Sequence, residues 1–473
     1  MNFTMPQHLL RIAPLTLLLL LSACASTRVV PPTPAPAPSQ FKEDALWKRA
    51  ASSTGIATPV PDAWWQLYND PVLNDLQARL IIGNENLKAA VAQAASARAA
   101  ISASRAAELP TVSANPSASR SGAPVGNTGQ RSSNTSLSLG ATASWEIDLW
   151  GRLSQATSGS EAKYQASVDD LAAARLSAQA TLVQTYLSMR AAEAQASLLA
   201  RSTAGYQRSL DLTQTRYNAG VVARTDVLQA QTQLKGVQAQ SIEAQTQRAQ
   251  LEHAVAVLLG QPPSAVTIAR TATLPASPTV PALLPATLLE RRPDIAAAKR
   301  RVAAAYAQIG VADAAFFPSL NLSASGGFRG SSLSNLLNAS SLYWALGSAL
   351  AQSIFDGGAR KAASDQARAA ADAATAAYRQ QVLTAFQEVE DNLVLADQLR
   401  AEAQLQLEAL QLAQRTLEIV NEQYRAGTVS YLNVVTAQST VLSSEQSVLS
   451  VRNRELAAIN QLLKNIAGRW QEK

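Results

Sequence analysis

Residues 217–231 read YNAGVVARTDVLQAQ, and residues 424–438 read YRAGTVSYLNVVTAQ. The two stretches carry the same residue at seven positions, all at an offset of 207. The identical pairs are Tyr217 and Tyr424, Ala219 and Ala426, Gly220 and Gly427, Val222 and Val429, Val227 and Val434, Ala230 and Ala437, and Gln231 and Gln438. In each stretch one helical pattern stops at Ala-Gly, where glycine can take the left-handed conformation that ends a helix, and a second helical pattern follows. The repetition predicts a duplicated unit with one helical hairpin in each half.

The repeat extends upstream of the hairpins at an offset of 208. Leu109-Pro110-Thr111 corresponds to Phe317-Pro318-Ser319, and Asp148 and Arg152 correspond to Asp356 and Arg360. Each unit reads helix, strand, strand, long helix, turn, helix. The chain is predicted to begin with a signal peptide at 1–23 and a lipidated tether and equatorial segment at 24–70. The first repeat covers 71–261, with a helix at 72–109, strands at 111–120 and 136–149, a long helix at 152–218 and a helix at 224–260. A Pro-rich linker or equatorial segment follows at 262–284, and the second repeat covers 285–473, with a helix at 285–317, strands at 318–328 and 342–355, a long helix at 358–426 and a helix at 431–468.

The strands are amphipathic. Residues 136–149 alternate between apolar side chains such as Leu137, Leu139 and Trp145 and polar ones such as Ser136 and Ser138. This period of two is typical of a strand with one apolar and one polar face. Four such strands per chain are predicted.

The long helices lie in two tracts without proline, at 125–261 and 319–473. Each would be roughly 100 Å long at 1.5 Å per residue. Apolar residues recur along them at coiled-coil spacing, and alanine and threonine occupy many of these positions. Such small-residue seams favour helices packed side by side in a sheet or tube.

The N-terminus has the features of an export signal. Arg11 precedes an apolar run at 15–21, and small residues lead up to Cys24, the only cysteine. Cleavage before Cys24 would resemble the processing of a bacterial lipoprotein, with diacylglycerol and a fatty acyl chain on that residue. The alternative is an ordinary signal followed by a buried cysteine.

The composition excludes several functions. The formal net charge is +6, and no cluster of Lys and Arg with interleaved aromatic residues indicates nucleic-acid binding. Beyond the signal there is no apolar run of about 18 residues, the length expected of a spanning helix. His253 is the only histidine after the signal, and there is no phosphate-binding Gly-x4-Gly-Lys motif. The sequence therefore favours a protein that is not an enzyme and binds no metal.

Four strands cannot close a barrel, and an open sheet edge in lipid leaves backbone groups unsatisfied. Three chains would supply twelve strands, an even number within the known range of membrane barrels. The predicted fold is α+β, built from two tandem structural repeats: a trimeric 12-stranded transmembrane β-barrel, with four strands per chain, continued by a long α-helical coiled-coil barrel.

The chain resembles the outer-membrane efflux lipoproteins of the TolC and OprM type (NodT-type outer membrane factors), and the resemblance covers essentially the whole mature chain. The motifs that carry it, besides the cysteine after the signal, are Asp148-Leu149-Trp150-Gly151-Arg152, Glu290-Arg291-Arg292-Pro293-Asp294-Ile295, Phe317-Pro318-Ser319-Leu320 and Tyr424-Arg425-Ala426-Gly427. The resemblance implies a homotrimeric exit duct for drugs and toxic compounds, lipid-anchored in and spanning the outer membrane, with a long periplasmic extension. It further implies a periplasmic adaptor (membrane fusion) protein and an inner-membrane RND-type pump as partners.

In that family, inward-bent hairpins close the periplasmic end of the tube. Carrying its motifs over places the gate contacts at Thr225, Asp226, Tyr424, Val429, Leu432, Asn433 and Thr436, with the turns at Gly220 and Gly427. The resemblance implies a bond from the Tyr424 hydroxyl to the Asp226 carboxylate, worth about 1.5–3 kcal/mol if sheltered. Val429 stands where an arginine can occur, and Asn433 and Thr436 stand where aspartates can occur. These departures shift closure toward Leu432 and apolar packing.

Simpler roles stay open for two of these residues. Tyr424 could be an aromatic residue at a coiled-coil packing position, and Asp226 could be an acidic residue in the first turn of a helix, where the helix dipole stabilises it. Two other functions also stay open: an exit duct of a type I protein secretion system, and a structural coiled-coil envelope lipoprotein. The paired amphipathic strands count against the second, because a spacer needs none.

Overall fold

The computed structural model describes Lys42 and residues 62–125, 130–280 and 291–467. These residues fall into two compact units. The first, which we call the sheet unit, contains Gln93–Val168 and Ala297–Arg379. The second, the hairpin unit, contains the described parts of Ala35–Ala92, Asp169–Ala296 and Gln380–Lys473.

Two copies of one element order make up the chain. The helices and strands are α1 (Pro71–Gly83), α2 (Glu85–Ala106), β1 (Thr111–Val125), β2 (Gln130–Ile147), α3 (Arg152–Asn218), α4 (Arg224–Leu258), α5 (Pro293–Ala314), β3 (Ser319–Gly330), β4 (Leu342–Ala351), α6 (Ala359–Arg425) and α7 (Tyr431–Ile466). The two long helices, α3 and α6, have 67 residues each. None of the described helices combines the length and the apolar character needed to cross a bilayer.

The sheet unit contains one antiparallel sheet in the order β1-β2-β3-β4. In register, Thr111 pairs with Ser144, Leu320 with Ile147, and Ser319 with Ala351. In this sheet β1 and β4 each pair on one side only. Within the described ranges, the sheet therefore has two unpaired strand edges.

The predicted strand ends need correction. The strand predicted at 111–120 continues to Val125, and the strand predicted at 136–149 begins at Gln130, because the Ser- and Asn-rich segment between them pairs through its backbone. The second strand ends at Ile147, which pairs with Leu320. The strand predicted at 318–328 spans Ser319–Gly330. The strand predicted at 342–355 ends at Ala351, whose partner Ser319 is the first residue of β3. Pro318 has no backbone N–H to extend that pairing.

Each repeat passes from strand to long helix through an aspartate. The Asp148 carboxylate accepts hydrogen bonds from the backbone N–H groups of Leu153 and Ser154, and thereby caps α3. The Asp356 carboxylate accepts from the N–H groups of Gly358 and Arg360 at the start of α6. The equivalent caps show that the two halves share one local structure.

The two short helical regions also differ from prediction. The single helix expected at 72–109 is divided into α1 and α2 at Asn84, which is extended (φ −64°, ψ 117°). The Asn84 side chain accepts from the N–H of Leu87 at 3.0 Å and donates to the carbonyl of Leu258 at 2.7 Å. The helix expected at 285–317 begins at Pro293 and ends at Ala314, because turns at 315–317 lead into Pro318. Residues 285–290 lie outside the described residues.

The other three helix predictions differ from the observed bounds by one or two residues at an end: 358–426 against Ala359–Arg425, 224–260 against Arg224–Leu258, and 431–468 against Tyr431–Ile466.

A buried charge network anchors the segment between the repeats in the hairpin unit. Glu193 accepts from Arg190 at 2.7 Å, from Arg248 at 3.1 Å, and from the N–H of Thr271 at 3.0 Å. Its side chain is 3% exposed. Arg248 also donates to Glu252 and to the carbonyl of Ile268. These contacts fix the backbone of 268–271 against α3 and α4.

Candidate functional site

The candidate site lies at the two hairpin turns of the hairpin unit. The first turn joins α3 to α4 through Gly220 (φ +73°), and the second joins α6 to α7 through Gly427 (φ +78°). In both turns the glycine N–H donates to the tyrosine carbonyl three residues earlier, Tyr217 in one case and Tyr424 in the other. Both glycines therefore have the left-handed conformation that the sequence requires at a helix end.

An apolar cluster packs beside the turns. Its buried members are Ala230, Tyr424, Tyr431, Val434 and Val435, and the partly buried Leu210, Val420 and Val429 pack against them. We call these residues the tip cluster. The rings of Tyr424 and Tyr431 lie 5.6 Å apart at 58°. Since the members come from α3, α4, α6 and α7, the cluster joins the first hairpin to the second.

Arg216 connects the two hairpins directly. Its Nη1 donates to the carbonyl oxygen of Tyr424 at 2.6 Å, and its guanidinium lies 4.6 Å from the centroid of the Tyr424 ring. One cation therefore satisfies a carbonyl at the C-terminal end of α6, where the helix dipole favours positive charge, and also stacks on an aromatic face. Arg216 was not among the residues predicted from the sequence. Its position in the last turn of α3, next to Tyr217, was the available signal.

The expected bond from Tyr424 to Asp226 is not formed. The Tyr424 hydroxyl oxygen is buried and has no hydrogen-bond partner among the described residues. The Tyr424 ring is instead held between Arg216 and Tyr431. Asp226, half-buried, occupies the first turn of α4, where a carboxylate is stabilised by the helix dipole. This arrangement corresponds to the simpler role considered for Asp226.

Tyr431, and not Tyr424, is the tyrosine of the tip cluster whose hydroxyl has a hydrogen-bond partner, and that partner is Ser209 among the described residues. The Tyr431 and Ser209 hydroxyl oxygens lie 3.2 Å apart. Burial raises the pKa of Tyr431; hydrogen bonds from Ser209 and Thr213 oppose this effect, and the charges of Tyr424 and Asp226 add to it. Tyr431 is therefore a neutral phenol at any physiological pH. It was a second residue that sequence reasoning missed.

The remaining predicted contacts lie outside the tip cluster. Thr225, Leu432, Asn433 and Thr436 are exposed, and Leu432 is 56% accessible. The Thr436 hydroxyl donates to the carbonyl of Leu432 within α7. Of the predicted residues, only Tyr424 and Val429 belong to the tip cluster. Within one chain, Leu432 does not contribute to apolar packing at the tip.

The two repeats differ at their paired tyrosines. Tyr217 is 38% exposed, whereas its counterpart Tyr424 is 4% exposed. The second repeat therefore supplies the buried aromatic of the tip cluster, and the first supplies the cation that packs on it.

Other residues of interest lie away from the turns. Cys24, the predicted lipidation site, lies outside the described residues. Within α6, Glu388 accepts from Arg292 at 2.7 Å, and Glu390 accepts from the N–H of Lys42 at 2.6 Å. The described residues contain no group of three or more His, Cys, Asp or Glu arranged to hold a metal ion.

Comparison with known proteins gives a consistent match. The family model described as "Outer membrane efflux protein" matches residues 76–261 and 284–468, which is one match in each repeat. The chain is 31% identical to the pyoverdine export outer membrane protein OpmQ of Pseudomonas aeruginosa, over 96% of this chain and 95% of that protein. It is 30% identical to the solvent efflux pump outer membrane protein SrpC of Pseudomonas putida, over 97% of this chain and 98% of that protein. The solved structure of the outer-membrane channel OprN superimposes with a TM-score of 0.86 and 30% identity, covering 94% of this chain and 100% of that one.

Proposed function

Because this chain belongs to the outer membrane efflux protein family, we propose that it is the outer-membrane exit duct of a tripartite efflux system. In this role it conducts small molecules passively from the periplasm to the exterior. The relatives are named for the export of solvents and of pyoverdine, and a range of small organic compounds is the corresponding cargo here. The protein catalyses no reaction, and the energy comes from the pump that it serves.

The observation that carries this proposal is the four-stranded sheet with two unpaired edges. Its apolar face is strongly exposed, with Trp344 at 74%, Leu346 at 75% and Leu350 at 67%. Register places these residues opposite a face of Ser, Thr and Asn side chains. One apolar and one polar face suit a wall between lipid and water.

A homotrimer satisfies the open edges. If β4 of one chain pairs with β1 of the next, three chains close a barrel of twelve strands and leave no unpaired edge in the membrane. The long helices of the three chains would continue that barrel as a tube in the periplasm.

The tip cluster is the proposed closure of the tube. Arg216 and the aromatic pair Tyr424 and Tyr431 hold the two hairpins of a chain together, and opening would separate them. A periplasmic adaptor protein that binds the hairpins and an RND-type inner-membrane pump are the proposed partners. Acylated Cys24 would add a lipid anchor in the outer membrane.

The mass and the conductance of the purified full-length protein test this function. We expect the detergent-extracted protein to have three times the chain mass and to produce discrete current steps in a planar lipid bilayer. A monomer that passes no current would contradict the proposal. A control preparation that is heat-denatured and returned to the same detergent should give no steps.

A further inference from the structure

The strands of the sheet carry few charged side chains. Residues 109–145 and 314–355, which include β1, β3, β4 and all of β2 except its last two residues, contain three arginines and neither aspartate nor glutamate. The arginines are Arg120, Arg131 and Arg329. Glu146, the first acid after the first of these segments, lies at the opposite end of β2 from the loop. It is already bound by Arg152 through both carboxylate oxygens.

Strand register places Arg329 on the polar face. Arg329 pairs with Ser138, and Ser138 pairs with Ser117. These hydroxyl residues alternate with the apolar residues Leu137 and Leu139 of β2. Arg329 is exposed, and it lies one residue from the end of β3 next to the loop that leads to β4.

Tyr343 holds the Arg329 guanidinium against the sheet. The guanidinium lies 4.9 Å from the centroid of the Tyr343 ring. Tyr343 is the one residue of β4 that is partly buried, whereas the other nine are exposed. It pairs with Gly327, which in turn pairs with Gly140, so its ring lies across two strands at positions without side chains.

Gly140 provides the space for this ring. A methyl group at Gly140 would lie 2.5 Å from the Tyr343 hydroxyl oxygen and 3.2 Å from the carbonyl oxygen of Gly326. Any side chain there would displace the phenol. The Tyr343 ring therefore has a defined position on the polar face, and it holds the Arg329 guanidinium there by a cation–aromatic contact.

We propose that Arg329, positioned by Tyr343, makes the outer end of the channel selective for anions. This inference rests on the proposed function, because only the assembled barrel would bring three copies of Arg329 around one lumen. Three positive groups around one lumen with low-dielectric walls concentrate small anions, including inorganic anions and organic carboxylates, and repel cations. Among the described strand residues on the polar face, Glu146 is the only other charged side chain. Because Glu146 is paired with Arg152, Arg329 determines the sign of the charge on this face.

Reversal potentials of purified full-length channels in planar bilayers under a KCl gradient test this proposal. We expect the wild-type protein to be more permeable to Cl⁻ than to K⁺. Arg329→Gln should lower that ratio about twofold or more, since charged clefts enrich counter-ions by at least this factor. Arg329→Glu should reverse the preference.

Arg120→Gln is the matched control. Arg120 pairs with Thr135, three residues from Ser138 along β2, and is therefore on the opposite face of the sheet. The substitution Arg120→Gln removes the same charge from a position near Arg329 along the strands, but on the other face. The permeability ratio should therefore stay unchanged. Tyr343→Leu keeps the charge but frees the guanidinium, so we expect a smaller loss of selectivity at an unchanged charge.

The outcomes separate the two proposals. Current steps in the wild type together with no shift in Arg329→Gln, or with an equal shift in Arg120→Gln, overturn the anion filter and leave the duct intact. A cation-selective wild type also overturns it. Failure of the wild type to form channels overturns both proposals.

Discussion

At the residue scale, one arginine does what the sequence assigned to a tyrosine and an aspartate. The resemblance implied a polar bond from Tyr424 to Asp226, but the structure joins the hairpins through Arg216. The sequence could predict that charged and aromatic residues take part, because both kinds cluster near the two turns. It could not predict which residues pair, because Arg216 and Tyr424 are 208 positions apart and local patterns do not encode such contacts.

Arg216→Ala should loosen the closed tip. The substitution removes a charge-assisted hydrogen bond and a cation–aromatic contact, which together stabilise the closed tip by about 1.5–3 kcal/mol. We expect a higher conductance of the resting channel in a planar bilayer.

Two variants serve as controls for this measurement. Tyr424→Phe removes a hydroxyl that has no hydrogen-bond partner in the part of the chain that the structure describes, so it should leave the resting conductance unchanged. Arg425→Ala removes an exposed arginine that bonds to Glu422 in its own helix, and should also have little effect. An increase in Tyr424→Phe as large as that in Arg216→Ala would show that the hydroxyl closes the tip after all.

At the element scale, sequence patterns within one helix predicted its ends, whereas helix breaks and strand ends that depend on contacts with another element were not predicted. The long helix predicted at 152–218 has the observed bounds Arg152–Asn218, because heptad spacing and the terminal Ala-Gly are local features. The break at Asn84 was missed, since the carbonyl that stabilises it belongs to Leu258, 174 positions away. Strand ends were missed for a similar reason, because they are set by the partner strand.

The network around Glu193 provides a test at this scale. Glu193→Gln keeps the shape but leaves the buried Arg190 and Arg248 without their shared carboxylate, and breaking a buried pair costs about 3–5 kcal/mol. We expect faster amide hydrogen exchange at 266–271 and a lower midpoint of thermal unfolding.

Glu418→Gln is the control for Glu193→Gln. It removes a surface ion pair with Arg415, in which both side chains are more than half exposed, and such pairs contribute less than about 1 kcal/mol. If exchange at 266–271 is equally fast in both variants, the network does not anchor this segment.

At the scale of the whole molecule, the N-terminal anchor and the channel should be separable. Cys24→Ser removes the thiol that the sequence predicts to be acylated, while the sheet and the hairpins are unchanged. We expect metabolically incorporated palmitate to disappear from the protein and the conductance of the purified trimer to persist.

Ser26→Ala is the control for Cys24→Ser. Because Ser26 is two residues away from the predicted acylation site, this variant should keep its palmitate label. Undiminished labelling of Cys24→Ser would disprove the lipoprotein prediction. Loss of the conductance along with the label would show instead that the lipid is needed for assembly.

The unequal tyrosines have a consequence for exchanging the two halves of the chain. Tyr217 is partly exposed, whereas Tyr424 is enclosed. We therefore expect the halves not to be interchangeable. A chain assembled from two copies of the first half would keep both bends and lose the aromatic ring that interlocks them.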